Sequence, residues 1–253
     1  MELISADWPA PSWVCAYFTT RDGGVSRGAY ASLNLGDHVG DDPGRVARNR
    51  AILAHRLSLP AEPLWLKQVH GCDLAEVGSA LPGCTADAAV ARAPGQVCAV
   101  MTADCLPLLL CDQDGRRAAA VHAGWRGLAA GVIERAVRGL GVEPDRILAW
   151  LGPAIGPDAF EVGPEVRETF LAEDPGSKPA FRPHGKSKWL ADLYALARQR
   201  LARAGVSRVF GGGYCTYSDP RRFFSFRRDG VTGRMAALIW LEHRGRQDSG
   251  DIQ

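Results

Sequence analysis

The sequence predicts a mixed α/β or α+β domain, and three observations lead to this prediction. Apolar strand-like segments alternate with segments of helical periodicity along the 253 residues. Some neighbouring strands are close enough for hairpins, whereas others are separated by a helix, as in a crossover connection. The hydrophobic content of 46% supplies the apolar side chains that a sizeable core requires.

Local patterns predict the elements in order. Val14–Thr20 is apolar and aromatic and stops at a turn containing two glycines, which indicates a strand. A helix begins at Pro43 behind a capping Asp42 and extends to about Leu57. Further strands are predicted at 64–69, 73–77, 117–122, 146–151 and 235–241, with two buried strands within 96–111. Further helices are predicted at 124–140 and 188–204.

Strand, helix and strand follow one another between about residues 117 and 151. A right-handed parallel crossover is the default connection for such a unit. Neither an internal repeat nor a low-complexity linker interrupts the chain. We therefore expect one catalytic domain over residues 1–243 and a polar, frayed tail over residues 244–253.

Charge and cysteine content exclude several classes of protein. The 30 Lys and Arg residues nearly balance the 28 Asp and Glu residues, so a nucleic-acid-binding surface is not expected. Seven cysteines without a CxxC motif do not suit a disulfide-stapled secreted protein. The N-terminus lacks a signal-peptide pattern, and no apolar stretch approaches the ~20 residues of a membrane-spanning helix. We expect a cytoplasmic protein that does not span a membrane.

Three side chains of metal-ligand or nucleophile type stand where predicted strands meet turns. They are His70, Cys105 and His122, separated by 35 and 17 residues. These separations do not match the short local spacing of a zinc finger or of a His-Glu-x-x-His helix. A buried cysteine is commonly a small hydrophobic residue, and a histidine commonly has a structural role, so the spacing alone leaves both interpretations open.

The chain resembles the YfiH-type proteins, a family labelled both laccase-domain (polyphenol oxidase) and purine nucleoside phosphorylase with adenosine deaminase activity. The motifs that carry the resemblance run nearly from end to end: Phe18–Ser26, Ser32–Gly36, Gln68–Gly71, Thr102–Pro107, His122–Gly127, Leu151–Gly156 and Phe223–Gly230. One departure is Phe226, where many relatives have tyrosine. The resemblance implies an α+β fold with mixed β-sheets packed between helical layers.

The resemblance also implies a zinc ion held by His70, Cys105 and His122, which match the family's ligand positions one by one. Three protein ligands leave the fourth tetrahedral position open, as in catalytic sites, where zinc lowers the pKa of its water to about 7. The implied activities are phosphorolysis of purine nucleosides and hydrolytic deamination of adenosine. The implied small-molecule partners are purine nucleosides and phosphate.

Other side chains have weaker candidate roles. Arg126 is the first choice for phosphate binding, because Gly124 and Gly127 allow close backbone approach at an expected helix N-terminus. Asp104 and Glu161 are candidates for the general acid or base. The arginines from 221 to 228 around Phe223, Phe224 and Phe226 are interpreted as a β-ribbon with solvated arginines rather than a nucleic-acid site.

Three alternatives to the zinc enzyme remain. Cys105 could act as the nucleophile of a metal-free hydrolase or deamidase, with His122 or His70 as the base. The family's fold is related to that of a toxin deamidase with a Cys/His pair. A copper-dependent polyphenol oxidase is less favoured, because multicopper oxidases carry many His-x-His pairs, whereas this chain has six histidines and no such pair. A non-enzymatic binding factor would require a large exposed apolar surface.

Overall fold

The computed structural model describes residues 1–243, so the predicted tail at 244–253 lies outside the described residues. The strands are β1 (Leu3–Ser5), β2 (Val14–Thr19), β3 (Leu74–Glu76), β4 (Ala88–Ala91), β5 (Val97–Thr102), β6 (Leu106–Asp112), β7 (Ala118–Ala123), β8 (Ile147–Leu151), β9 (Glu161–Val162), β10 (Phe181–His184), β11 (Lys188–Ala191), β12 (Arg208–Gly211) and β13 (Met235–Leu241). The α-helices are α1 (Pro43–Leu57), α2 (Trp125–Ala129), α3 (Val132–Leu140), α4 (Pro164–Glu173), α5 (Leu193–Arg203) and α6 (Phe226–Asp229).

The strands form three sheets. A four-stranded sheet has the order β1-β2-β13-β5 and is antiparallel throughout. A six-stranded mixed sheet has the order β12-β8-β6-β7-β4-β3. A small antiparallel sheet has the order β10-β11-β9. Within residues 1–243, no helix has both the length and the apolar character needed to cross a membrane.

The two larger sheets lie face to face between helices. Along β7, Ala118 and Ala120 join the core between the sheets, whereas Ala119 and Val121 join the core beneath α2, α3 and α5. Alternation of this kind lets one strand pack on both faces, which is why the strands of the sheet read as continuous apolar runs. Leu53 of α1 packs on the opposite face of the four-stranded sheet. The predicted α+β fold with mixed sheets between helical layers is confirmed.

Helix α1 matches its prediction, whereas the helix predicted over 124–140 is divided into α2 and α3 at Gly131, whose φ of 90° is left-handed. The Asp42 side chain accepts a hydrogen bond from Arg45 N at 2.9 Å and caps α1, whose first residue is Pro43. A cap of this type stabilises a helix by about 1 kcal/mol. Strands β7 and β8 both run antiparallel to β6, which lies between them, so they are parallel to each other and are connected through α2 and α3. The predicted parallel connection is confirmed.

Three local predictions are wrong. Residues 64–69 contribute only isolated bridges, at Leu64 and Lys67, rather than a strand. The helix predicted over 188–204 begins later, because Lys188–Ala191 forms β11 and Asp192 then caps α5. The expected β-ribbon at 221–228 is a turn followed by α6, because Phe223 and Phe224 insert fully into the core.

Candidate metal centre

The predicted ligands come together where β6 begins and β7 ends. Cys105 directly precedes β6, and His122 is the penultimate residue of β7. Because Pro107 pairs with His122 in the antiparallel ladder, the start of β6 and the end of β7 share one sheet edge. His70 reaches this edge from the loop before β3, where its φ of 61° is left-handed. Such a conformation is uncommon for histidine and requires support from its surroundings.

The ligand atoms of these three side chains all lie within 4.8 Å of one another. Cys105 Sγ is 3.7 Å from His70 Nε2, and the two imidazole rings meet at 69° with their centroids 4.8 Å apart. His122 is buried, whereas His70 is exposed and Cys105 is partly exposed. The cluster therefore has one interior ligand and one open side.

Asp87 organises two of the three ligands, although the sequence analysis did not identify it. Its Oδ1 accepts a hydrogen bond from His70 N at 2.9 Å and lies 2.8 Å from His122 Nδ1. Its Oδ2 accepts hydrogen bonds from Val69 N at 3.2 Å and Gly71 N at 2.7 Å. The fully buried carboxylate thus fixes both the strained loop and the orientation of the His122 ring.

Burial and charge act against each other in this cluster. Burial alone would raise the pKa of Asp87, but hydrogen bonding and attraction from His122, with the loop amides, lower it below its ordinary value. Burial likewise opposes ionisation of Cys105, but the His122 charge and hydrogen bonds from both histidines lower the pKa of that thiol. The pKa of His122 is raised, because Cys105 and Asp87 outweigh its burial. The cluster therefore favours a thiolate at Cys105.

Two glycines leave space for the cluster. A Cβ at Gly124 would lie 2.9 Å from Cys105 Sγ and 2.9 Å from His70 Cδ2. A Cβ at Gly127 would lie 2.7 Å from Gly71 O. Both contacts are closer than real Cβ atoms show, so the start of α2 can approach the His70 loop only with glycine at these positions.

The donor set fits a zinc ion. Because a carboxylate only accepts hydrogen bonds, His122 Nδ1 carries its proton toward Asp87 and its Nε2 is left as the ligand atom. In a tetrahedral zinc site, neighbouring sulfur and nitrogen ligands are about 3.3–3.6 Å apart. The Cys105–His70 separation of 3.7 Å is close to this spacing. Within residues 1–243, this is the one cluster of three such side chains.

Asp104 lies beside Cys105, but both oxygens of its side chain are occupied. Oδ1 accepts a hydrogen bond from Thr216 Oγ1 at 2.6 Å, and Oδ2 accepts one from Arg227 N at 2.7 Å. Its backbone is also constrained, with a φ of 94° and a carbonyl that accepts a hydrogen bond from Ile155 N at 2.9 Å. These contacts fit a residue that ties two loops and the start of α6 to the turn before Cys105.

Among the described residues, no hydrogen bond joins Arg126 or Glu161, the remaining predicted site residues, to the three ligands. Arg126 is exposed in the first turn of α2, with its guanidinium carbon 4.4 Å from the centroid of the Trp125 ring. Glu161 is exposed on β9, and its carboxylate lies 3.6 Å from His184 Nε2. The Glu161 carbonyl accepts a hydrogen bond from Arg227 Nη1 at 2.6 Å. The roles proposed for Arg126 and Glu161 stay predictions.

Two imidazoles and a thiol at one sheet edge of a layered α+β fold define a protein with a candidate mononuclear metal centre. The family described as "Multi-copper polyphenol oxidoreductase laccase" matches residues 15–242. The chain belongs to this family, which includes the YfiH proteins.

Curated relatives cover nearly the whole chain. The purine nucleoside phosphorylase YfiH of Escherichia coli (strain K12) is 55% identical over 241 residues, which are 95% of this chain and 99% of that protein. A purine nucleoside phosphorylase of Haemophilus influenzae is 46% identical over 244 residues, which are 96% of this chain and 100% of that protein.

Solved structures share the fold. A crystal structure of a Neisseria meningitidis protein is similar with a TM-score of 0.93 and 51% identity, covering 96% of this chain and 100% of that one. The crystal structure of YlmD from Geobacillus stearothermophilus is similar with a TM-score of 0.87 and 32% identity, covering 93% and 94%.

Proposed function

We propose that this protein is a zinc-dependent purine nucleoside phosphorylase that also deaminates adenosine. Residues 1–243 would form its single catalytic domain. The names of its relatives support the phosphorylase activity. The single observation that carries the proposal is the cluster of His70, Cys105 and His122, which offers three ligands and keeps one side open. An open position is typical of catalytic rather than structural zinc sites.

In phosphorolysis, the bond between ribose C1′ and purine N9 breaks and a bond between C1′ and a phosphate oxygen forms. The purine leaves with a proton on nitrogen, and the other product is ribose 1-phosphate. Bound zinc would supply Lewis acidity at this site. His70, Cys105 and His122 would hold the zinc, while Asp87 would keep the proton of His122 on Nδ1. Arg126 would contribute positive charge for phosphate.

In deamination, water adds at the purine carbon that bears the amine, and ammonia leaves, so adenosine becomes inosine. Both reactions require a purine nucleoside beside the same cluster. Asp104 is less favoured as the general acid, because each of its carboxylate oxygens already accepts one hydrogen bond, from Thr216 or from Arg227. Glu161 remains the proposed candidate for proton transfer.

A metal-free cysteine hydrolase is the second candidate, and one observation favours it. Cys105 lies 3.7 Å from His70 Nε2, and its thiol has a lowered pKa, as an activated nucleophile would. Zinc and acyl transfer exclude each other at Cys105, because a thiolate bound to metal is not available for attack. A copper oxidase is less favoured, since residues 1–243 bring together one three-ligand cluster rather than several.

The test combines metal analysis with product analysis. The purified wild type, Cys105→Ala and the matched control Cys84→Ala are assayed for bound metal and incubated with inosine and adenosine, with and without phosphate. We expect zinc in the wild type and in Cys84→Ala, base release that requires phosphate, and ammonia release from adenosine without phosphate. If the wild type releases neither product faster than Cys105→Ala, the nucleoside function is wrong. If the wild type contains no metal, releases neither product, and hydrolyses an amide or ester substrate in a reaction that thiol alkylation abolishes, the hydrolase is correct.

A further inference from the structure

Arg234 lies beside the turn that carries Cys105, although no motif in the sequence analysis included it. It directly precedes β13, whose first residue, Met235, pairs with Thr102 at the end of β5. In this antiparallel register Arg234 lies opposite the turn that begins at Ala103 and leads into Cys105. The backbone amide of Arg234 donates a hydrogen bond to Asn34 Oδ1 at 2.8 Å, which fixes its position.

The guanidinium of Arg234 is fixed in place but has free donors. Nη1 donates hydrogen bonds of 3.1 Å to the carbonyls of Thr232 and Gly233. Among the described residues, no hydrogen-bond partner is found for its Nε or Nη2. The side-chain stem fills the space beside Gly36, where a Cβ would lie 2.8 Å from Arg234 Cγ. A partly buried arginine with two unused nitrogens is prepared to bind an external acceptor.

The charge of Arg234 lies close to the candidate metal ligands. Burial lowers the pKa of Arg234 below its ordinary value, although the nearby charges of Cys105 and Asp104 act in the opposite direction. Two other arginines, Arg228 and Arg50, are more fully paired than Arg234. Arg228 donates to three backbone carbonyls and pairs with Asp229, and Arg50 donates to the Leu35 carbonyl and lies 3.3 Å from Asp37.

Phe226 covers one side of this guanidinium. The Arg234 guanidinium carbon lies 5.9 Å from the centroid of the Phe226 ring. The next residue, Arg227, donates its amide to Asp104 Oδ2, so the Phe226 backbone lies next to the Cys105 turn. Phe226 is 58% exposed, so its ring is accessible to a ligand. An apolar ring and a cation thus adjoin the turn that carries Cys105.

We propose that Arg234 forms the oxyanion subsite of this centre and binds inorganic phosphate through Nε and Nη2, with the Phe226 ring beside the bound ligand. A guanidinium presents two parallel N–H groups that match two phosphate oxygens, and the pair is stronger away from bulk water. This inference rests on the proposed phosphorylase function, because phosphate is its co-substrate. It assigns the phosphate to a residue on the Cys105 side of the cluster, in addition to the exposed Arg126.

Direct phosphate binding tests the proposal without requiring catalysis. Binding of inorganic phosphate is measured by ³¹P NMR line broadening for the wild type, Arg234→Ala, Arg234→Lys and the matched control Arg135→Ala. Arg135 is exposed on α3 and is not part of the proposed site. We expect Arg234→Ala to weaken phosphate binding on the order of tenfold to a hundredfold, Arg234→Lys to weaken it less, and Arg135→Ala to leave it unchanged.

Thermal unfolding and metal content separate loss of the subsite from loss of the fold. If Arg234→Ala unfolds at a lower temperature than the wild type, Arg234→Lys supplies the comparison, because it keeps the charge and most of the stem. Phosphate affinity equal to wild type in both Arg234 variants overturns the proposal, as does a wild type that does not bind phosphate. If phosphate binds through Arg234 but base release from inosine is absent, the phosphorylase function is wrong while the oxyanion subsite stands.

Discussion

Two buried carboxylates flank the candidate metal centre, and they act in different ways. Asp87 contacts His122 directly and receives three amides of the His70 loop. Asp104 adjoins Cys105 in the chain, but its oxygens bind Thr216 and the amide of Arg227. Asp87 therefore orients ligands, whereas Asp104 fixes the turn from which a ligand projects.

The difference shows why adjacency in sequence is a poor guide to chemical role. Asp104 lies in a recognisable motif and has a titratable side chain, so it was a natural candidate for proton transfer. Asp87 is a single acidic residue ahead of the apolar strand β4 and has no motif of its own. The contact with His122 arises only because β4 and β7 are neighbours in the sheet, where His122 N donates to Asp87 O at 2.7 Å.

Asp87→Asn is expected to cause the largest change, a loss of zinc affinity. An amide at this position cannot accept all the hydrogen bonds from the His70 loop and from His122, so both ligands would lose their orientation. We expect zinc affinity to fall about 10–100-fold, as for other residues that orient metal ligands, measured by competition with a chromophoric chelator.

Asp112→Asn is the matched control for Asp87→Asn. Asp112 is also a buried carboxylate that accepts backbone amides, those of Arg116 and Arg117, but it lies at the far end of β6. We expect this variant to lose stability and to keep its zinc affinity. Equal zinc loss in both variants would mean that Asp87 acts only through the fold.

Gly124→Ala tests the space that the ligands require. The new methyl group would come within 2.9 Å of Cys105 Sγ and His70 Cδ2, so one of the two ligands must move. We expect zinc affinity to decrease about tenfold, since ligand geometry controls the affinity of such sites. Gly213→Ala is the control, because a Cβ there meets no atom within 4 Å. Wild-type zinc affinity in Gly124→Ala would contradict the assigned geometry.

Asp104→Asn tests whether Asp104 stabilises the fold without contributing to zinc binding. One of its two hydrogen bonds, from Thr216 Oγ1 or from Arg227 N, would face an amide NH₂ instead of an oxygen. We expect the free energy of unfolding to fall by about 1–3 kcal/mol in urea denaturation, with zinc content unchanged. A variant of normal stability that has lost its zinc would reverse the roles assigned to the two carboxylates.

Thr216→Val would give the smallest effect. It removes the donor to Asp104 Oδ1 but keeps the shape of the side chain and the Arg227 hydrogen bond. We expect a loss of about 1 kcal/mol in the free energy of unfolding. Thr169→Val is the control on the exposed surface of α4 and should change stability by less than about 0.5 kcal/mol. If Thr216→Val lost its zinc while its free energy of unfolding stayed the same, the structural role assigned to Asp104 would be wrong.

The elements predicted correctly are those whose own residues specify the secondary structure without help from a partner strand. Helix α1 combines an Asp42 cap, Pro43 and a regular apolar face, and β13 is a long apolar run, so each has one consistent interpretation. The pattern at Lys188–Ala191 allows two interpretations, because Leu190 fits helical spacing as well as a strand. Pairing with β9 and β10 makes this segment a strand. The Phe223 and Phe224 pair has the same ambiguity, which burial between the sheets resolves.

The candidate site was predictable to the extent that single residues show their chemistry. His70, Cys105 and His122 were identified from strand-end positions and from the family resemblance, and the structure brings them together. Asp87 and Arg234 were missed, because each becomes significant only through a partner strand. The pairing of β4 with β7 brings Asp87 to His122, and the pairing of β13 with β5 brings Arg234 beside the Cys105 turn.

The most direct test of the central claim is the zinc content of the protein purified without added metal, compared between the wild type and Cys105→Ala. The account predicts about one zinc per wild-type chain and almost none in Cys105→Ala, with both proteins folded. Full zinc occupancy in Cys105→Ala, or a wild type that releases purine from inosine with phosphate while containing no zinc, would contradict it.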